Sequence, residues 1–135
     1  MERVFADSSY WIALLSPRDE LHSRASLLSR DLAPHQIVTS EMVLTEFLNS
    51  FSDYGPHLRQ ASATAVESLR RSQVLVFPQT TQLFANALHR YSTMSDKSWS
   101  LTDCASFLIM EEEHLMHALT HDRHFGQAGF QTLLR

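Results

Sequence analysis

Apolar positions along this chain follow two spacings, and the two alternate. Short β-like runs occupy residues 3–6, 36–39, 74–77 and 117–120, around "VFA", "IV", "VLVF" and the weaker "HALT". Between them lie stretches whose apolar residues recur three and four apart, the pattern of an amphipathic helix. Residues 8–15, "SSYWIALL", turn the first strand directly into a helix. A second helix is predicted over 17–31 from Leu21, Ala25 and Leu28, with Leu32 just beyond. Over 40–51, Val43, Leu44, Phe47, Leu48 and Phe51 form one stripe. A longer, more exposed helix covers 58–72, and another covers 78–91 through Leu83, Phe84, Ala87, Leu88 and Tyr91. The clearest is 100–115, "SLTDCASFLIMEEEHL", and "YSTMSDKSW" before it (91–99) reads as a loop.

No two strands are joined by a two-residue hairpin turn. Strands separated by helices instead predict a three-layer α/β/α domain around a central, mostly parallel sheet of four to five short strands. No repeat or linker divides the chain, so residues 1–135 are expected to form one domain. In open sheets of this kind ligands sit outside the carboxyl ends of the strands. That rule draws attention to Asp7, the charge that ends the first run.

Asp7 has a plain reading as the N-cap of the helix that follows, but Ser8 beside it could serve equally. Glu46 falls just off the Val43 edge of its apolar stripe, beside Ser50, where a boundary glutamate keeps its head in water. Asp103 stands three residues after Ser100, the spacing of a capping box. It also shares a helical face with Phe107 and Met110, where an unpartnered carboxylate is costly. Asp122 follows the last strand, and a turn or a pair with Arg123 would explain it alone. Taken together, two of these acids end strands and two lie near helix starts beside the same sheet edge. Four converging carboxylates repel one another unless a hard cation intervenes, and Mg2+ or Mn2+ suits an all-oxygen site. The matching chemistry is metal-assisted phosphodiester hydrolysis, in which no side chain needs to act as a covalent nucleophile.

Composition agrees and narrows the setting. Hydrophobic residues make up 44% and charged ones 19%, the balance of a globular chain. One cysteine, Cys104, rules out an internal disulfide framework and a cysteine-based zinc cluster, so a reducing, cytoplasmic setting is expected. No secretory leader and no membrane span are expected, because Asp7 interrupts the first apolar run. The net charge of −4 excludes a generally basic nucleic-acid binder. A local basic groove from Arg18, Arg59, Arg70, Arg71, Lys97 and Arg123 stays open.

The stretches "VFADSSYWIALL", "TSEMVLTEFLNSF", "DKSWSLTDCASFLIME" and "ALTHDRHFGQAGF", in this order and spacing, resemble the PIN-domain ribonucleases. The chain looks most similar to the small VapC-type toxins of bacterial toxin–antitoxin pairs. The resemblance implies a metal-dependent endoribonuclease acting on single-stranded or loop regions of RNA. It assigns Asp7, Glu46, Asp103 and Asp122 as catalytic and metal-binding acids. Ser8, Thr102 and Thr120 occupy the hydroxyl positions beside them. It further implies a small antitoxin partner and a homodimer, for which Tyr10, Trp11 and Leu14 offer a surface unless they are core. Asp96 is a possible extra acid, with a solvated loop residue as the plainer reading.

Rival chemistries rest on less. His114, His117, His121 and His124 have zinc-like spacings on a continuous helix, but the strand "HALT" interrupts them. Neither GxxxxGK[ST] nor GxGxxG occurs, and the three glycines, 55, 126 and 129, do not build a phosphate cradle. There is no GxSxG elbow, and Cys104 lies on an apolar helix side. Two further readings stay open. One is a non-catalytic RNA- or protein-binding module on the same fold, and the other is a free-standing RNA-processing nuclease.

Overall fold

The computed structural model describes residues 2–135. The β-branched and aromatic run at the start forms strand β1 (Val4–Ala6), buried along its whole length. The others are β2 (Ile37–Ser40), β3 (Leu75–Phe77), β4 (His117–Leu119) and β5 (Gln131–Thr132). They form one sheet in the order β3-β2-β1-β4-β5, with every pairing parallel. The register sets Val4 opposite Ile37 and Phe5 opposite both Val38 and Ala118. Because β1 and β2 are buried on both faces, helices must cover the sheet on both sides.

Among the described residues seven α-helices do so: α1 (Ser8–Leu15), α2 (His22–Arg30), α3 (Glu41–Phe51), α4 (Pro56–Arg71), α5 (Thr81–Thr93), α6 (Leu101–Glu112) and α7 (Arg123–Gln127). Helix α1 packs against both α2 and α3, α4 packs on α3, α5 lies along α6, and α3 and α7 also touch α6. Phe5, Val38, Phe47, Phe107, Met110, Leu119 and Phe125 are fully enclosed between these elements. The strand order places the site. The chain builds outward from β1 to β2 and β3, then crosses back to add β4 on β1's other side. The crevice at such a reversal, beyond the carboxyl ends of β1 and β4, is where open sheets bind ligands.

The four expected strands are present to within a residue at each end, and β5 is added at the edge. Gln131 and Thr132 are too short and polar a pair to announce a strand. The helix expected from residue 17 begins only at His22, because the Asp19 carboxylate takes the Leu21 N–H at 2.8 Å and holds a turn. The helix expected through residue 115 ends at Glu112. There His114 adopts a left-handed φ of 57°, and Leu115 N–H returns to the Met110 carbonyl at 2.8 Å, a Schellman closure. Helix α5 starts after Thr80, which caps it by accepting from Leu83 N–H, and it extends past Tyr91 to absorb Ser92 and Thr93 from the expected loop. Helix α4 opens two residues early, on Pro56 after Gly55 at φ 92°. The short helix α7 carries no apolar periodicity that sequence could show.

Candidate active site

Asp7 has the backbone of an N-cap, but its side chain makes no capping bond. The carboxylate turns instead toward the end of β4, where the Thr120 hydroxyl donates to its Oδ2 at 2.9 Å. It is only 4% exposed. Burial is the main reason its pKa rises to about 7; Ser8 N–H and the Thr120 hydroxyl oppose that rise, and the charges of Glu46 and Asp103 add to it.

Thr120 organises the strand end. Its one hydroxyl proton goes to Asp7, so its oxygen accepts from Asp122 N–H at 3.0 Å. In the 3.2 Å contact between Ser9 and Thr120 the Ser9 hydroxyl is then the donor, while its own oxygen accepts from His121 N–H. Glu46 comes from α3, a helix capped by Ser40. Its Oε1 accepts a hydrogen bond from the Ser8 hydroxyl. Burial pushes Glu46 up, Ser8 pulls it back, and Asp103 and Asp122 push it up again.

Asp103 does close a capping box. Ser100 Oγ accepts from Asp103 N–H, and Asp103 Oδ2 accepts from Ser100 N–H, each at 3.0 Å. The same Oδ2 lies 3.1 Å from His124 Nδ1. Burial raises Asp103 first; the Ser100 N–H lowers it, Asp122 raises it, and His124 lowers it. Asp122 caps α7 by accepting from His124 N–H at 2.9 Å, and its Oδ1 is 3.3 Å from His124 Nδ1. Glu46 and Asp103 act on Asp7, and Asp103 and Asp122 act on Glu46, so the four acids share one electrostatic environment.

The nearest side-chain nitrogen partner of these acids is His124. Among the described residues no lysine or arginine pairs with Asp7, Glu46, Asp103 or Asp122. Asp103, Asp122 and His124 each offer a ligand atom, all within 4.8 Å of one another. An oxygen-rich donor set with unbalanced, partly buried carboxylates fits a divalent cation.

The PIN domain family matches this chain over residues 4–131. The chain belongs to the PIN domain family. VapC20 of Mycobacterium tuberculosis, named a 23S rRNA-specific endonuclease, is 29% identical over 128 residues, 94% of this chain and 95% of that protein. The crystal structure of VapC20, titled as a sarcin-ricin loop cleaving toxin, superposes with a TM-score of 0.83 at 26% identity. It covers 94% of this chain and 95% of that one. FitAcB from Neisseria gonorrhoeae shares the fold, with a TM-score of 0.64 at 15% identity and 96% of each chain covered.

Within this PIN domain, Asp7 bonds to Thr120 and Glu46 to Ser8, both in the electrostatic field of Asp103, while the three ligand atoms within 4.8 Å of one another come from Asp103, Asp122 and His124. Thr102 precedes Asp103 on α6, but its contact is through its backbone carbonyl, which accepts from Ser106. Asp96 is an exposed loop residue paired with Lys97 at 3.3 Å. The four histidines do not assemble. His114 sits in the turn after α6, His117 pairs with Glu2 at 3.2 Å, His121 is exposed, and only His124 enters the acid cluster. The strand β4 separates them, as its interruption implied. Cys104 is buried on α6, and burial raises its thiol pKa. Tyr10 and Trp11 are core residues, and with Leu14 they line an apolar cavity of about 430 Å3. Arg18, Arg59, Arg70, Arg71, Lys97 and Arg123 are spread over the turn after α1, α4, the loop before α6 and the start of α7. Ser9, one place past the expected hydroxyl, carries no sequence signal as a site residue, and His124, two past Asp122, stands out in the sequence only among the four histidines of zinc-like spacing.

Proposed function

We propose that this PIN domain chain is a divalent-metal-dependent endoribonuclease, the toxin of a toxin–antitoxin pair, acting as a single domain over residues 1–135. The observation that carries the reading is Asp7: a buried carboxylate, unused as a cap, held by Thr120 within the field of Glu46 and Asp103. RNA as substrate is supported by VapC20, the near full-length relative named as a 23S rRNA-specific endonuclease. In this reading Asp7, Glu46, Asp103 and Asp122 hold Mg2+ or Mn2+. When bound, such an ion lowers the pKa of an attacking water and balances charge on the phosphate oxygens. Thr120 fixes one oxygen of Asp7, Ser8 fixes one oxygen of Glu46, and the Ser100 backbone fixes one of Asp103. Each bond sets the orientation of its carboxylate at the shared space. Thr102 borders the site without a side-chain bond of its own. Cys104 is buried and held as a thiol, which agrees with water rather than a side chain as nucleophile.

A cytoplasmic homodimer restrained by a small antitoxin completes the proposal. Exposed Phe84, Leu88 and Tyr91 on α5 support a second copy, and the apolar cavity beside α1 supports a protein partner. Among the described residues no helix is long and apolar enough to cross a membrane. The test compares wild type with Asp7→Asn on single-stranded and hairpin RNA in Mg2+, in Mn2+ and with chelator. Metal-dependent cutting by wild type alone supports the enzyme. Equal cutting by both proteins, or RNA binding by wild type without cutting in any metal, favours a contaminant or a binding module instead.

A further inference from the structure

His124 is the one nitrogen donor inside a cluster otherwise built from carboxylates. Its ring is firmly placed. The residue after it, Phe125, is fully buried, edge-on to Phe107 of α6 at 5.0 Å and stacked near Phe5 of β1 at 6.4 Å. Phe107 stands one helical turn from Asp103, so the contact that anchors α7 also fixes His124 relative to Asp103. Farther along α7, Gln127 accepts from Trp99 Nε1 at 3.1 Å, which ties the helix to the loop entering α6. Nδ1 consequently rests 3.1 Å from Asp103 Oδ2 and 3.3 Å from Asp122 Oδ1. Donors bound at right angles to one ion, with bonds of about 2.1 Å, stand about 3.0 Å apart. The observed separations are nearly those of adjacent corners of such a coordination shell.

We infer that His124 is a direct nitrogen ligand of the proposed metal site and biases it toward a first-row transition dication over Mg2+. The inference rests on the metal-dependent reading above and adds the class of ion. Mg2+ is a hard, oxygen-seeking ion that keeps its water, whereas transition dications accept imidazole readily. Nδ1 lies within reach of both carboxylate oxygens, the position from which a shared ion would be held. As a ligand His124 would be the neutral tautomer with its proton on Nε2, leaving the Nδ1 lone pair for the ion. A ring serving only to orient Asp103 would leave ion preference unchanged.

The experiment uses the full chain with Mn2+ and Mg2+ as probes. Binding is measured by calorimetry, and nitrogen coupling to bound Mn2+ by pulsed electron paramagnetic resonance, in wild type, His124→Ala, His124→Asn and Asp103→Asn. Wild type is expected to bind Mn2+ at least about 10-fold more tightly than Mg2+ and to show imidazole nitrogen coupling. Both His124 variants should lose that coupling and about 10-fold in Mn2+ affinity, with Mg2+ affinity changed less than about twofold. Coupling that persists in His124→Ala, or equal losses for both ions, overturns the nitrogen ligand while leaving the carboxylate site standing. Mn2+ binding indifferent to Asp103→Asn, or no binding by wild type, overturns the metal reading and this inference with it.

Discussion

At the scale of single residues, Asp7 dominates the behaviour of the ion-free protein. Its folded-state pKa of about 7 lies above the ordinary value of 3.8, so between these the folded chain keeps a proton that the unfolded chain has lost. The stability this contributes is fully present below about pH 4, falls as pH rises, and is gone above about pH 7. Glu46 and Asp103, also raised, slope the same way. Urea midpoints in chelator should therefore drop between pH 5 and pH 8, and saturating divalent ion should restore them. A midpoint that climbs over this range in chelator contradicts the assignment. Asp7→Asn should abolish cleavage yet stabilise the ion-free chain at pH 8 by about 1–3 kcal/mol, since it removes a buried charge without a cationic partner. Thr120→Val keeps the shape but loses the donor to Asp7 and the acceptor for Asp122 N–H. It should cost about 1–3 kcal/mol and weaken ion binding about 10–100-fold, read by chemical denaturation and calorimetry.

At the scale of elements, the site is held by helix ends and strand ends rather than by loops. Ser100 illustrates this, because its hydroxyl caps α6 and its N–H holds Asp103 Oδ2. Ser100→Ala removes the first bond and leaves the backbone bond in place. The expected result is a loss of about 1 kcal/mol in unfolding free energy with cleavage reduced but retained. Complete inactivation of a folded Ser100→Ala protein would mean that the hydroxyl contacts substrate, a role the geometry does not give it. The same element logic explains the sequence errors: Asp19 delays α2, and the left-handed His114 stops α6.

At the scale of the whole molecule, the sheet order brings residues from both halves of the chain to one crevice. Asp7 and Thr120 are 113 positions apart and share a hydrogen bond. The opposite concern is the exterior, where Phe84, Leu88 and Tyr91 leave one face of α5 apolar, at 42%, 48% and 52% exposure. A contiguous exposed patch of this kind marks an interaction surface. Sedimentation should show wild type as a dimer. Leu88→Glu should yield a monomer with an unchanged circular dichroism spectrum, and a Leu88→Glu protein that still dimerises would move the interface elsewhere.

Sequence alone determined the alternation of strand and helix, because periods of two and of three to four are local properties of the chain. It also marked Asp7, Glu46, Asp103 and Asp122, since two follow strands and two lie near helix starts that an open sheet places at one edge. At Asp7 and Asp103 it could not choose between cap and ligand, for both uses need the same residue type at the same helix start. At Glu46 and Asp122 a solvated boundary or turn acid reads the same as a ligand. Tertiary structure separated them. Asp7 makes no capping bond, Asp103 both caps and faces the cluster, and Asp122 caps α7 while reaching His124. Which histidine joined the acids was likewise decided by packing, through the burial of Phe125 beside it. Such contacts depend on residues distant in sequence, and no local period encodes them.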